Sequence, residues 1–283
     1  MTSKPQIVRT LRALRGASRN YRAAKKTVAL VPTMGALHAG HLTLVRRARR
    51  IADRVIVSIF VNPAQFAPHE DFASYPRRFK NDIAALAGEK VDLVWAPSAA
   101  VMYPDGFATQ VTPQGPAAVG LEDAFRPHFF GGVATVVTKL LLQCLPDVAL
   151  FGEKDFQQLQ VIRALARDLD IPVKIVGVPI VREKDGLALS SRNLYLSPRE
   201  RSVAPTLYAV LTACAKKIRK TGAIEPALAE GRITLTRAGF AVDYLEARDA
   251  ETLKRVASLS GGRLRLLAAA TLGKTRLIDN IAV

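Results

Sequence analysis

The chain has 283 residues, 49% hydrophobic and 6% aromatic, with 41 Lys and Arg against 24 Asp and Glu, a formal charge of +17. This composition predicts a packed chain of one large or two modest domains and excludes disordered, collagen-like and disulfide-stapled classes. Cys144 and Cys214 fall at no metal-ligand spacing and no run of about 18 apolar residues occurs, so neither a zinc site, secretion nor a membrane span is expected, and the compartment is expected to be reducing.

The charge is uneven: residues 1–55 carry 13 basic residues and one acid, Asp53. A nucleic-acid-binding arm, a targeting peptide and the solvated face of helices near an anionic substrate all fit that pattern. Ile7, Leu11, Leu14 and Tyr21 recur near helical spacing, which predicts an N-terminal basic helix with one packed face. A strand follows at Thr27–Pro32, then a glycine-containing loop and a helix over His41–Ala52 bearing Arg46, Arg47, Arg49 and Arg50. The cycle repeats with a strand at Val55–Val61, a helix over Pro76–Gly88 and a strand at Val91–Trp95. It continues with a helix over Gly132–Leu145, a strand at Val148–Phe151, a helix over Phe156–Leu169 and a strand at Val173–Val178. Such alternation predicts a Rossmann-like parallel α/β sheet with helices on both faces, whose ligands bind at the strands' C-terminal edge. Beyond about Val181 the texture changes to helices at Pro198–Lys220 and Glu225–Ala238, then strands at Val242–Ala247, Leu264–Ala270 and Leu277–Val283. The expected organisation is a first domain over 1–180 and a smaller C-terminal α+β lid domain over 181–283.

The strongest chemical signal is Pro-Thr-Met-Gly-Ala-Leu-His-Ala-Gly-His, Pro32 to His41, between the first long strand and its helix. His38 and His41 at a helix N-terminus beside Gly40 can donate to phosphate oxygens where the helix dipole already favours anions. Read alone, the pair could equally be a metal pair or surface histidines. Asn62 and Gln65, after the second strand of the cycle, are neutral amides able to grip hydroxyls and a carboxylate, or to cap a turn. Lys154 and Asp155 follow Val148–Phe151, where they could meet phosphate and ribose or form a surface ion pair. Ser190, Ser191 and Arg192 suit a triphosphate, although the tripeptide is common in loops.

The Pro32–His41 block resembles the His-x-Gly-His signature of the nucleotidyltransferase superfamily. Together with Val-Asn-Pro-Ala-Gln-Phe at 61–66, Gly-Glu-Lys-Asp-Phe-Gln-Gln-Leu at 152–159 and Asp-Gly-Leu-Ala-Leu-Ser-Ser-Arg-Asn at 185–193, it is similar to the pantothenate synthetase (pantoate–β-alanine ligase) family over essentially the whole chain. The resemblance implies condensation of pantoate with β-alanine through a pantoyl adenylate, releasing AMP and pyrophosphate. It implies ATP contacts at Met34, Gly35, Ala36, Leu37, His38, Ala39, Gly40 and His41, at Gly152, Glu153, Lys154 and Asp155, and at Val181, Leu189, Ser190, Ser191 and Arg192. Gln65, Gln158 and Asn62 are implied to bind the substrates, with Gln65 and Gln158 holding pantoate. Catalytic roles fall to His38, His41, Lys154, Ser190, Ser191 and Arg192, with His41 protonating the departing group. Mg²⁺ is expected with ATP, and a homodimer in the cytoplasm, without nucleic acid or membrane, is implied.

Two departures stand out. Phe129 occupies a place where the family has His, with His128 one position early. Asn81-Asp82 stands where the family tends to have two acids, so a magnesium-associated role would rest on Asp82 alone. The rivals are an adenylyltransferase that stops after nucleotidyl transfer, which would need no amine, and an RNA-binding module, which would show a steep salt slope with tRNA. The family's own N-terminal helix accounts for Ile7–Lys26 better than a targeting peptide does.

Overall fold

The computed structural model describes residues 4–67, 72–256, 258 and 263–283. Two compact units divide it, the first holding residues up to 153 and 158–179, the second 154–157 and 180–283.

The first unit is built on a six-stranded, all-parallel sheet. Its strands are β1 (Gln6–Val8), β2 (Val28–Thr33), β3 (Arg54–Ile59), β4 (Leu93–Trp95), β5 (Val148–Gly152) and β6 (Lys174–Val178), in the spatial order β1-β4-β3-β2-β5-β6. The central strands β2 and β3 each carry a run of four consecutive buried residues, mostly apolar, as a sheet covered on both faces requires. Helices α1 (Leu11–Ala23), α2 (Ala39–Ile51), α3 (Phe79–Gly88), α4 (Ala99–Met102), α5 (Glu122–Phe125), α6 (Phe129–Cys144) and α7 (Phe156–Asp168) connect them.

The N-terminal edge of the sheet is closed by carboxylates. Asp53 accepts from the amide of Thr27, Asp147 from Val28 at 2.7 Å and Asp92 from Val55 at 2.9 Å. These aspartates satisfy strand-start donors that have no ladder partner. Chain order reverses between β2 and β5, paired as Ala29 with Val148 and Leu30 with Ala149, so the loops leaving these strands diverge at a topological switch point.

Ile7 does not belong to the N-terminal helix. Gln6–Val8 forms an edge strand on β4, and α1 starts at Leu11, capped by the Thr10 hydroxyl. Leu14 is fully buried, and the Ser18 hydroxyl donates to the Cys144 carbonyl of α6. The basic helix is therefore an integral part of the first unit's packing.

The second unit packs α8 (Pro198–Val203), α9 (Thr206–Thr221) and α10 (Ile224–Arg237) with an antiparallel sheet β7 (Phe240–Asp249), β8 (Leu264–Leu272) and β9 (Thr275–Ala282). The expected single helix over Pro198–Lys220 is broken at Pro205, whose ring and missing N–H end α8 and start α9. Gly231 lies so close to Cys214 and Leu245 that α10 packs with no side chain between them.

Candidate active site

The loop between β2 and α2 is held by two side chains, Thr33 and Asp82. Gly35 and Ala36 both have left-handed backbone, at φ of 83° and 50°. The second is costly for a residue with a Cβ. The Thr33 hydroxyl accepts from the Gly35 amide at 3.2 Å while donating to the Ser58 carbonyl. The buried Asp82 carboxylate accepts from Ala36 N at 3.1 Å through Oδ2 and from Leu37 N at 2.8 Å through Oδ1. A Cβ on Gly35 would lie 3.1 Å from Asp82 Oδ2 and 3.2 Å from Ile59, so glycine serves here for space as well as for φ. Asp82 is thus an anchor beneath Met34–His38, with one backbone amide donating to each of its oxygens.

The two histidines cap α2 reciprocally. His38 Nδ1 accepts from Gly40 N at 3.1 Å, and His41 Nδ1 accepts from His38 N at 3.3 Å, with ring centroids 4.1 Å apart. A backbone amide can only donate, so both Nδ1 atoms are acceptors and the neutral rings carry their protons on Nε2. Two imidazole Nε2–H donors on one helix N-terminus are suited to donating hydrogen bonds to phosphate oxygens as charge develops on them.

Asn62 and Gln65 belong to a single turn after β3. Asn62 is 1% exposed. Its Oδ1 accepts from Ala64 N and from the Tyr103 hydroxyl at 2.7 Å, and its Nδ2 donates to Gln65 Oε1 at 3.2 Å and to the Gly132 carbonyl at 3.1 Å. Gln65 Nε2 meets Met34 Sδ at 3.1 Å, which ties this turn to the histidine loop. Arg126 donates to the Gln65 carbonyl and lies 3.9 Å over the Phe129 ring. Phe129, the departure from the family pattern, therefore supports the arginine that braces this turn. His128 is exposed at the start of α6.

Gly152 ends β5 and Glu153 opens the short turn after it. In the second unit, Lys154 Nζ lies 3.7 Å from Asp155, and the Lys154 carbonyl accepts from Asn280 Nδ2 at 3.0 Å. Asn280 Oδ1 in turn accepts from Arg265, which stacks 4.1 Å over Phe156. In the first turn of α7, Gln157 is buried whereas Gln158 is half-buried.

The Val181 carbonyl accepts from Leu189 N, and the Ser190 hydroxyl caps the Ser191–Tyr195 turn by accepting from Arg192 N. Arg182 braces this hairpin through bidentate bonds of 2.6 and 2.8 Å to buried Asp279. Arg201 pairs with both Glu183 and Asp185, and its bond holds the Asp185 carboxyl below the usual carboxylate range. Sequence reasoning missed Asp279, Asn280 and Tyr103 as supports because their partners lie 97, 126 and 41 residues away.

The family model described as pantoate-beta-alanine ligase matches residues 6–282. Pantothenate synthetase of Rhodopseudomonas palustris (strain BisA53) is 63% identical over 283 residues, covering 100% of both chains, and pantothenate synthetase 2 of Bradyrhizobium diazoefficiens is 62% identical with the same coverage. The crystal structure of pantothenate synthetase from Thermus thermophilus matches at a TM-score of 0.92 with 47% identity, covering 98% of each chain. The Francisella tularensis ligase, complexed with β-γ ATP and β-alanine, matches at a TM-score of 0.82 with 34% identity, over 98% of this chain and 97% of that one. Full-length relatives and full-length fold agree with the family model, and the chain belongs to the pantoate–β-alanine ligase family.

Proposed function

We propose that the chain's own residues divide the family reaction as follows. The enzyme condenses pantoate with β-alanine at the expense of ATP. A pantoate carboxylate oxygen forms a bond to the α-phosphorus as the bond to the β-phosphate bridging oxygen breaks, giving pantoyl adenylate and pyrophosphate. The β-alanine amine then forms the C–N bond at the activated carbonyl, and AMP leaves with the former carboxylate oxygen.

His38 and His41 donate Nε2–H to the phosphates, and His41 stabilises the charge on the departing pyrophosphate by that hydrogen bond; proton transfer from it, expected from the sequence, does not fit a ring whose Nδ1 accepts, since it would leave an imidazolate. The observation that carries this reading is the reciprocal cap, which puts both Nδ1 atoms against backbone amides. The Met34–His41 backbone, Gly152–Asp155, Val181 and Leu189 contact ATP. Lys154, Ser190, Ser191 and Arg192 neutralise the triphosphate, whereas Gln65 and Gln158 hold pantoate. Gln65 later receives β-alanine. Catalysis is positioning plus charge stabilisation, with no covalent enzyme intermediate.

Mg²⁺ enters with ATP as part of the substrate. Among the described residues no group of three or more His, Cys, Asp and Glu could hold a metal. Homodimeric assembly and a cytoplasmic location rest on the family resemblance; among the described residues no helix is long and apolar enough to cross a membrane.

The test has two parts. AMP formation is expected to require pantoate, ATP and β-alanine together, and ATP/pyrophosphate exchange to require only pantoate and ATP. His41→Ala is expected to slow exchange by at least about 10²-fold, the scale of a lost hydrogen-bond donor to developing charge. Unchanged exchange in that variant would remove His41 from its role.

A further inference from the structure

The Gln65 side chain has two ends of nearly equal size, one that accepts and one that donates. Which end meets a ligand decides what the ligand must offer. Here the choice is dictated by groups whose chemistry is unambiguous. The Ala64 amide can only donate and the Gly132 carbonyl can only accept, and Asn62 touches both, through Oδ1 at 3.3 Å and Nδ2 at 3.1 Å. This fixes the Asn62 amide in one orientation. Its remaining Nδ2 proton then has to be donated to Gln65, so the Gln65 atom facing it is the oxygen and the outward atom is nitrogen.

The same logic fixes Tyr103. Asn62 Oδ1 carries no proton, so the Tyr103 hydroxyl is the donor in their 2.7 Å bond. With that bond, each hydrogen-bonding position of the Asn62 amide is used inside the protein, so Asn62, expected from the sequence to bind substrate, has no amide position left for it. The tyrosine ring is itself wedged between Phe60, at a centroid distance of 6.2 Å, and Phe107, at 5.1 Å and edge-on. Burial pushes the Tyr103 hydroxyl up to about 12, so it keeps its proton throughout the neutral range.

The geometry points to Tyr103 as a positioning residue that holds Asn62 in place, in the orientation the Ala64 amide and Gly132 carbonyl set, so that Asn62 makes Gln65 present its N–H end to the hydroxy acid. This deepens the proposed function and rests on Gln65 being a pantoate contact. The Gln65 Nε2 group is spent, among the described residues, only on Met34 Sδ, a weak acceptor that a carboxylate oxygen outcompetes. Selection for an oxygen acceptor at this place is thus built by three residues, of which only Gln65 meets the ligand. Asn62 acts by setting the polarity of its neighbour.

The experiment compares Tyr103→Phe, Gln65→Met and Gln65→Glu in the full chain by steady-state kinetics with pantoate and ATP varied separately. Tyr103→Phe keeps the ring and removes one donor. It is expected to raise the pantoate KM about 2- to 10-fold, the scale of one hydrogen bond, and to leave the ATP KM unchanged. Gln65→Met is expected to raise the pantoate KM, and Gln65→Glu to raise it further, since an anionic oxygen replaces the outward N–H. An unchanged pantoate KM in Gln65→Met would overturn the assignment of Gln65 itself. If Gln65→Met is impaired while Tyr103→Phe is unaffected, or moves both KM values together, only the relay is overturned. Should Tyr103→Phe not fold, the comparison at position 65 decides: Gln65→Glu no worse than Gln65→Met excludes an outward N–H.

Discussion

Asp82, to which the sequence gives at most a magnesium-associated role, holds the histidine loop in three dimensions by accepting from two of its amides. It lies 46 residues from Ala36 and 45 from Leu37, so nothing local connects it with the histidine motif. The motif itself was legible because its residues are contiguous and their glycines mark a tight loop. The anchor was not, because only the packing of α3 against the sheet brings it under that loop. The chemistry is that of a fixed anion accepting two successive amides of a left-handed segment, which holds Ala36 in a conformation it would otherwise avoid. Asp82→Ala is expected to lose about 1 kcal/mol for each half-buried donor left unpaired, and to weaken ATP binding as the loop relaxes. Asp82→Asn is also expected to be impaired, because one oxygen becomes an N–H₂ facing an amide donor. Chemical denaturation combined with nucleotide titration checks both. A change in Mg²⁺ dependence with stability intact would restore the metal role.

Among the elements, the long buried strands and their following helices were readable from apolar runs alternating with helical periodicity. Two errors have simple causes. Gln6–Val8 is three residues long and lies at the sheet edge, so Ile7 blended into the helical pattern of the residues after it. The α8–α9 break was signalled by Pro205, but the apolar period runs through it. Less readable still was the reason for the Gly131-Gly132 pair in α6. A Cβ on Gly132 would overlap the Ala64 carbonyl and lie 2.7 Å from Gln65 N, whereas one on Gly131 would meet nothing within 4 Å. Helix α6 is therefore the surface against which the Asn62–Gln65 turn is moulded. Gly132→Ala is expected to displace that turn and to abolish pantoate-dependent exchange. Gly131→Ala is expected to be harmless or to stabilise by about 0.5–1 kcal/mol, the usual gain from alanine in a helix. Exchange assays and thermal melts on the two neighbours separate a local steric effect from a general intolerance of α6.

For the molecule as a whole, the +17 charge is the term that most needs placing. Part of it is neutralised locally: Arg46 pairs with Glu89, and Arg49 and Arg54 both meet Asp92. The arginine-rich face of α2 is thus tied to α3's end and the start of β4. Four surface carboxylates are held below their ordinary range: Asp53 chiefly by the Thr27 amide, Asp185 by Arg201, Glu200 by the Ser197 amide and Asp249 by the Thr252 amide. Each titrates lower in the folded chain than in the unfolded one. Its contribution is therefore complete above the unfolded value, near pH 4, and is lost as pH falls through the folded value. Protonation of the remaining acids raises the positive charge over the same interval, adding repulsion to the loss of these bonds. The thermal midpoint is expected to be nearly flat from pH 7 to pH 5 and to fall below about pH 4. Raising ionic strength from about 0.05 to about 0.5 M at pH 3.5 is expected to recover part of that fall, because salt screens repulsion among exposed cations far more than it weakens a carboxylate bonded to backbone amides. Calorimetric scans over that pH and salt grid distinguish the contributions: a fall that salt leaves untouched would assign acid lability to the lost bonds alone.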